Sequence, residues 1–425
     1  MYSKHLISVT ALLLSTAACS SDATNPGNSA GAGPVGTAGS SPVGTAGSPN
    51  GAGGSGPITG TAGSPVVGTA GSAPTAGGPN TGTAGAPNTG TGGAGGSGST
   101  GTAGAGNPGG AAGAAGTPSS ASFKCDNLTL APSTTGVAQP AGAAGGLKVL
   151  DWAGFKGAVS FTFDDNTPSQ MPNYAALKAT GAHFTFFVVG NWLSTSTSLI
   201  PQYKATLADG QEIASHTYSH DDSDSLADLQ KNQTYISTNF GVNANSMAAP
   251  NCKDGWGPVA PSVLFQDRGP CSNSTTGGLL TPTDGTSPFA LPAMVPDEAA
   301  SSATLSSAIV AGKWRIFVIH GFDSQNGTYH PVPIANVTAT MSKSVSDGFW
   351  AETMTNVGAY WQGGKLIPSS ATSSATWTLP AKFPPNMCVR ITTTGGTVTQ
   401  KGETIKWDPH GYYQISLNAG EVTIK

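Results

Sequence analysis

Asp164 and Asp165 stand together at the C-terminal end of the apolar run 158–163, Ala-Val-Ser-Phe-Thr-Phe. Such a run reads as a buried strand, and two carboxylates at its end are a reactive pair rather than a packing element. Successive side chains on a strand point to opposite faces, so the two acids are free to take different tasks: one holds a metal, the other moves protons. Further along come His216 and His220, four residues apart, and then His320 at the end of a second apolar run, 315–319. Two imidazoles and a carboxylate suffice to hold a catalytic divalent cation, zinc above all, with positions left open for water and substrate. The i, i+4 spacing predicts both imidazoles on one side of a helical turn. A cation there polarises a carbonyl and activates water at neutral pH, the second carboxylate serves as general base, and a separate His serves as the acid for the leaving group.

These groups need a scaffold that brings distant strand ends together. Strand-like runs occur at 158–163, 184–189, 212–214, 246–249, 315–319 and 349–352, with helical stretches at 172–180, 199–208, 225–240, 333–346 and 354–360. Strand alternating with helix predicts an α/β fold with a parallel sheet or barrel, whose chemistry gathers at the C-terminal strand ends. Segment 252–296 is rich in Gly, Pro, Ser and Thr and reads as one long irregular loop of the functional kind. Beyond 366, short alternating runs at 375–379, 388–393, 396–400, 412–417 and 422–424 predict a small all-β module.

The N-terminal quarter is different. Lys4 and His5 precede an apolar run at 6–14, the pattern of a secretory signal, too short to span a bilayer as a helix. Between Asp22 and Phe123 no charged or aromatic side chain occurs, and Gly-Thr-Ala-Gly-Ser recurs at 36, 44 and 68. With nothing to bury, residues 20–123 read as a disordered tether with an r.m.s. span of roughly 55 Å. Setting aside Cys19, four of the five cysteines remain, an even number suited to an oxidising compartment. Of the three pairings open to them we favour Cys252 with Cys271, which staples a single loop. A net charge of -4 offers no basic stripe for nucleic acid.

The motifs resemble one family. Thr162-Phe163-Asp164-Asp165 is similar to the first motif of the polysaccharide deacetylases (NodB homology, carbohydrate esterase family 4), and His216-Thr217-Tyr218-Ser219-His220 is similar to the second. Phe317-Val318-Ile319-His320 resembles the last motif, and the likeness covers 148 to about 361. It implies a distorted (β/α) barrel, the fold assigned to 124–365; the alternating runs at 366–425 read separately as a small β-sandwich-like module. The likeness implies Asp164 as catalytic base, Asp165, His216 and His220 as ligands of a divalent metal, most simply zinc, and His320 as acid. The reaction implied is hydrolysis of N- or O-acetyl groups on an acetylated polysaccharide. The same resemblance implies that the backbone N–H of Asn251 takes the oxyanion-binding place and that Trp256 stands for a substrate-binding aromatic, with core packing as its alternative. Ser15-Thr16-Ala17-Ala18-Cys19 resembles a lipoprotein cleavage box, which implies an acyl anchor on Cys19 at the outer membrane or cell surface. Ordinary cleavage at Ala17 or Ala18, with full secretion, is the alternative.

Two departures shape the expectations. Asn166 replaces the Gly that follows the paired acids, which its tolerance of left-handed backbone permits. The third motif appears as Ala248-Ala249-Pro250-Asn251-Cys252 without its arginine, the residue that orients the base. Arg268 is the candidate replacement; without one, the chain reads as a catalytically silent glycan-binding protein. A third reading assigns glycan binding to the β module through Trp377, Trp407, Tyr412 and Tyr413. His183, His330 and His410 are assigned structural places, and Asp221, Asp222 and Asp224 the cap of the following helix.

Overall fold

A computed structural model describes residues 123–254, 256–322, 328–369 and 371–425. The leader, Cys19 and almost all of the tether lie outside the described residues. After β1 (Lys148–Val149), parallel strands β2 (Ala158–Asp164), β3 (Thr185–Val188), β4 (Glu212–Ser215), β5 (Ser246–Ala248), β6 (Gln266–Ser272), β7 (Leu291–Met294) and β8 (Trp314–Ile319) follow in order. Each pairs with the next, and β8 and β3 both pair with β2, so the seven strands close into a barrel. The closure is uneven: the start of β2 also pairs with β9 (Trp350–Ala351), whereas its end, 162–164, pairs with β3.

Helices α1 (Tyr174–Lys178), α2 (Gly190–Thr195), α3 (Ile200–Thr206), α4 (Leu226–Phe240), α5 (Ser302–Ser307), α6 (Ile334–Ser346) and α7 (Met354–Leu366) complete the α/β pattern. Strand alternation decides what each face meets. Val159, Phe161 and Phe163 join the core that holds Leu177, Leu229, Ile236, Val337 and Met341 of the helices. Ser160, Thr162 and Asp164 alternate with them, and all three are buried. The barrel interior is therefore partly polar. Trp314 Nε1 donates to Ser160 Oγ at 3.1 Å, and Ser160 Oγ donates to the Glu352 carbonyl at 2.8 Å.

The expected loop at 252–296 is corrected by β6 and β7, which close the barrel within it. Gln266-Asp267-Arg268-Gly269-Pro270-Cys271-Ser272 carries few residues of strand propensity, and its register against β7 shifts between Arg268 and Cys271. Helix α7 is longer than its sequence pattern indicates and packs nine of ten consecutive residues, Met354–Thr355 and Val357–Gly363, into buried positions. Gly358 lets it approach β6: a Cβ there would lie 1.7 Å from Gln266 Oε1, while Gln266 Nε2 donates to the Met354 carbonyl at 2.7 Å. Gly358→Ala is expected to destabilise the chain by about 1–3 kcal/mol through overpacking. Urea unfolding measures it, and an unchanged midpoint would mean that Gln266 swings aside freely.

The all-β part comprises β10 (Ser374–Thr376), β11 (Cys388–Thr392), β12 (Val398–Gln400), β13 (Glu403–Thr404), β14 (Trp407–Asp408), β15 (Tyr412–Ser416) and β16 (Glu421–Ile424). They form two antiparallel four-stranded sheets, β1-β11-β15-β14 and β10-β16-β12-β13. The segment before the barrel thus joins the strands after it, through β1 on β11 and a disulfide between Cys125 and Cys388. The favoured Cys252–Cys271 bond is also present.

Candidate active site

The C-terminal ends of β2, β4 and β8 converge on one cavity of about 690 Å³, lined by Asp164, Asp165, His216, His220 and His320. Asp164 ends β2 inside the barrel, and the chain then turns through Asp165 and Asn166, with φ of 70° and 41°. Asn166 does more than tolerate this backbone, since its Oδ1 accepts from the Val189 N–H at 2.8 Å and ties the turn to the end of β3.

Arg268, 1 % exposed on β6, holds Asp164 with a two-pronged bond: Nη1 donates to Oδ1 at 3.0 Å and Nη2 to Oδ2 at 2.5 Å. Nη1 also donates to Thr162 Oγ1 at 2.8 Å. The guanidinium missing from the third motif is thus restored by the neighbouring strand. Burial pushes the Asp164 carboxyl up, but Arg268 and His216 more than offset it and hold the group below the usual carboxylate range.

Residues 216–220 form no helical turn, contrary to the spacing argument. Thr217 and His220 adopt φ of 60° and 58°, and this folded-back backbone brings the imidazoles to 4.8 Å between ring centroids. His216 donates from Nδ1 to the Ala248 carbonyl at 2.8 Å, which turns Nε2 toward Asp165. Asp165 Oδ1 lies 3.4 Å from Nε2 of His216 and 3.4 Å from Nε2 of His220, and it has no well-formed hydrogen bond among the described residues. All three ligand atoms fall within 4.8 Å of one another. An orphaned buried carboxylate oxygen between two imidazole nitrogens fits a divalent cation. Burial raises the Asp165 carboxyl, yet the adjoining imidazoles bring it down to about 2. His220 is lowered by burial and by the His216 charge.

His320 follows β8; burial lowers its imidazole, and Nδ1 has no partner among the described residues. Gln170, fully buried, ties this end to the base: its Nε2 donates to the Asp164 carbonyl at 2.6 Å and the His320 carbonyl at 2.9 Å, while Tyr203 donates to its Oε1 at 2.7 Å. Asn251 lines the cavity in a left-handed conformation, φ 54°. Trp256 does not line it: the ring is fully buried in the outer core with Met247 and Leu264, so its packing alternative holds.

Residues 154–254 match the family described as polysaccharide deacetylase. The chain carries a polysaccharide deacetylase domain. Over 152 residues the chain is 32 % identical to a gellan lyase of a Bacillus species, a stretch that makes up 33 % of this chain and 6 % of that relative. Among solved structures it is similar to the Xyl-CE4 domain of a multidomain xylanase from the hindgut metagenome of Trinervitermes trinervoides. That likeness has 16 % identity, 48 % of this chain and 89 % of the other, and a TM-score of 0.34. A family 4 acetyl xylan esterase from Clostridium thermocellum, in complex with a cobalt ion, matches at 16 % identity over 50 % of this chain and 94 % of that one, TM-score 0.35.

Several residues around this cavity carry no motif signal. Asp228, in the first turn of α4, accepts from the N–H groups of Tyr218 and Ser219 at 2.8 and 3.2 Å and from Ser219 Oγ at 2.7 Å, fixing the loop between the two histidines. Helix α4 itself is capped by Ser225, whose Oγ accepts from the Asp228 N–H, and not by Asp221, Asp222 or Asp224. His330 lines the cavity instead of taking a purely structural place, whereas His183 is bound to the buried Glu352 at 2.9 Å and His410 to Asp408 at 2.5 Å. For Asp228, an acid three residues into a capped helix is locally unremarkable. Only the fold shows where it reaches.

Proposed function

We propose that the chain is a zinc-dependent hydrolase that removes acetyl groups from a polysaccharide. The carrying observation is the Asp164–Arg268 pair standing beside the Asp165–His216–His220 cluster in one cavity. A divalent cation on that cluster supplies Lewis acidity toward the acetyl carbonyl and lowers the pKa of water. Asp164, kept ionised by Arg268, takes a proton from the attacking water. The backbone N–H of Asn251 donates to the oxyanion of the tetrahedral intermediate, and His320 gives a proton to the departing amine or alcohol. Exposed aromatic faces beside the histidines suit pyranose rings: Trp192 stacks on His220 at 5.0 Å, and Tyr329 meets His320 edge-on at 5.2 Å.

The silent-binder reading rested on an unheld base, and Arg268 removes that ground. Two disulfides in the described chain suit an oxidising compartment, in keeping with export, either anchored through Cys19 or secreted.

The test is acetate release from a panel of acetylated glycans by the wild-type chain and by Asp164→Asn and His320→Ala. Release is expected to fall about 10²- to 10⁴-fold in each variant, the usual worth of a positioned acid or base. A wild-type chain that binds stoichiometric zinc but releases no acetate from any glycan would overturn the reading.

A further inference from the structure

The cavity contains a covalent feature to which no role has been given. Cys252 and Cys271 both line it, alongside Asp164, Asp165, His216, His220 and His320. Cys271 lies on β6 three residues past Arg268, beyond the register shift against β7. Cys252 directly follows Asn251.

We propose that the Cys252–Cys271 disulfide is a positioning element of the catalytic pocket, which holds Asn251 in place relative to Arg268. The inference rests on reading this cavity as the deacetylase site. Asn251 and Cys252 both take φ of 54°, a left-handed conformation that L side chains disfavour sterically and that persists only where the surroundings impose it. Two ties to β6 impose it here. Before the pair, the Ala249 N–H donates to the Arg268 carbonyl at 2.9 Å. At its second residue, Cys252 is bonded to Cys271. Asn251 thus lies between two ties to the strand that carries Arg268, and Arg268 in turn holds Asp164. The turn itself is closed by the Lys253 N–H donating to the Pro250 carbonyl at 3.1 Å, and Asn251 Nδ2 makes an exposed 3.3 Å bond to Asp222; neither of these reaches the strand that carries Arg268.

The second disulfide provides an internal control. Cys125–Cys388 bridges 263 positions and Cys252–Cys271 bridges 19, so chain entropy makes the former the larger contributor to stability. Neither Cys125 nor Cys388 lines the catalytic cavity. A purely structural role for both bonds makes activity follow stability. A positioning role inverts the order.

The experiment compares full-length Cys252→Ser/Cys271→Ser with Cys125→Ser/Cys388→Ser, each loaded with zinc. In the first variant kcat for acetate release is expected to fall about 10- to 100-fold, short of the 10²–10³-fold loss of a whole oxyanion donor, with KM and zinc affinity within about threefold of wild type. In the second, Tm is expected to fall further than in the first, while kcat stays within about twofold. Amide hydrogen exchange over 249–253, read alongside, is expected to quicken in the first variant and not in the second. If exchange there is unchanged, or if kcat follows Tm across both variants, the proposal is overturned. Should wild type itself release no acetate, the functional reading fails, while exchange still decides whether the bond holds the turn. If the double-serine chain does not fold, Cys252→Ala/Cys271→Val repeats the comparison with the volume better filled.

Discussion

Arg268→Ala is expected to lower kcat/KM for acetate release by about 10²- to 10³-fold, the cost of mispositioning a general base. It is also expected to destabilise the fold by about 3–5 kcal/mol, because a buried carboxylate loses its partner. The pH dependence follows from the Asp164 carboxyl. Burial is the largest influence on it and acts upward; Arg268 is the largest influence acting downward. In the wild-type chain the depressed pKa contributes stability above the unfolded carboxyl pKa, and that contribution is lost as pH falls through the lower folded value. Without Arg268 burial prevails, Asp164 takes up its proton at higher pH, and the acidic limb of the kcat/KM profile moves upward. Arg268→Lys is expected to recover little, since an ammonium cannot bridge both carboxylate oxygens and Thr162 together. An Arg268→Ala enzyme with an unmoved acidic limb and activity within a few-fold of wild type would show that Asp164 is not the base this arginine holds.

His216→Ala is expected to abolish stoichiometric zinc binding and with it acetate release. The ring is 2 % exposed, and its Nδ1–H is committed to the Ala248 carbonyl, so no neighbouring group can take over Nε2. Zinc competition against a chelating dye should show a loss of affinity larger than the roughly 10- to 100-fold usual for an outer-shell partner. Asp228→Ala supplies that smaller effect, because it frees the loop between the ligands without removing one. Thermal unfolding gives a second reading: zinc at 100 times its Kd stabilises the wild type by about 2.7 kcal/mol, and should leave His216→Ala unmoved. Equal zinc affinity in His216→Ala and wild type would remove the cluster as the metal site.

What was legible in the sequence was what lies close along the chain. Asp164 and Asp165 end a continuous apolar strand, His320 ends another, and both are recognised by local pattern and by order. The left-handed backbone expected of Asn166 is found there, along with its additional bond to Val189. The alternation of strand and helix determined the α/β class, because periodicity of two and of 3.6 is written residue by residue. The cysteines near 252 and 271 were close enough for pairing to be inferred.

The tertiary structure decided the rest. Strands β6 and β7 were hidden because Gly269, Pro270 and Pro292 interrupt them and because Gln266 and Arg268 are polar where a buried strand is expected to be apolar. Their partners are other strands of the barrel, which no local window contains. The imidazoles of His216 and His220 meet through left-handed residues rather than a helical turn, a choice made by Asp228 and Ala248 from elsewhere in the fold. Likewise, the first strand of the β module comes from 148–149, since pairing across more than two hundred residues depends on where chain closure brings β1 and not on its two-residue sequence. Residue types and spacing along the chain determined which groups carry the chemistry. Which groups hold them (Arg268 on Asp164, Gln170 between Asp164 and His320, Asp228 behind the histidines) depended on contacts that form only when the barrel closes.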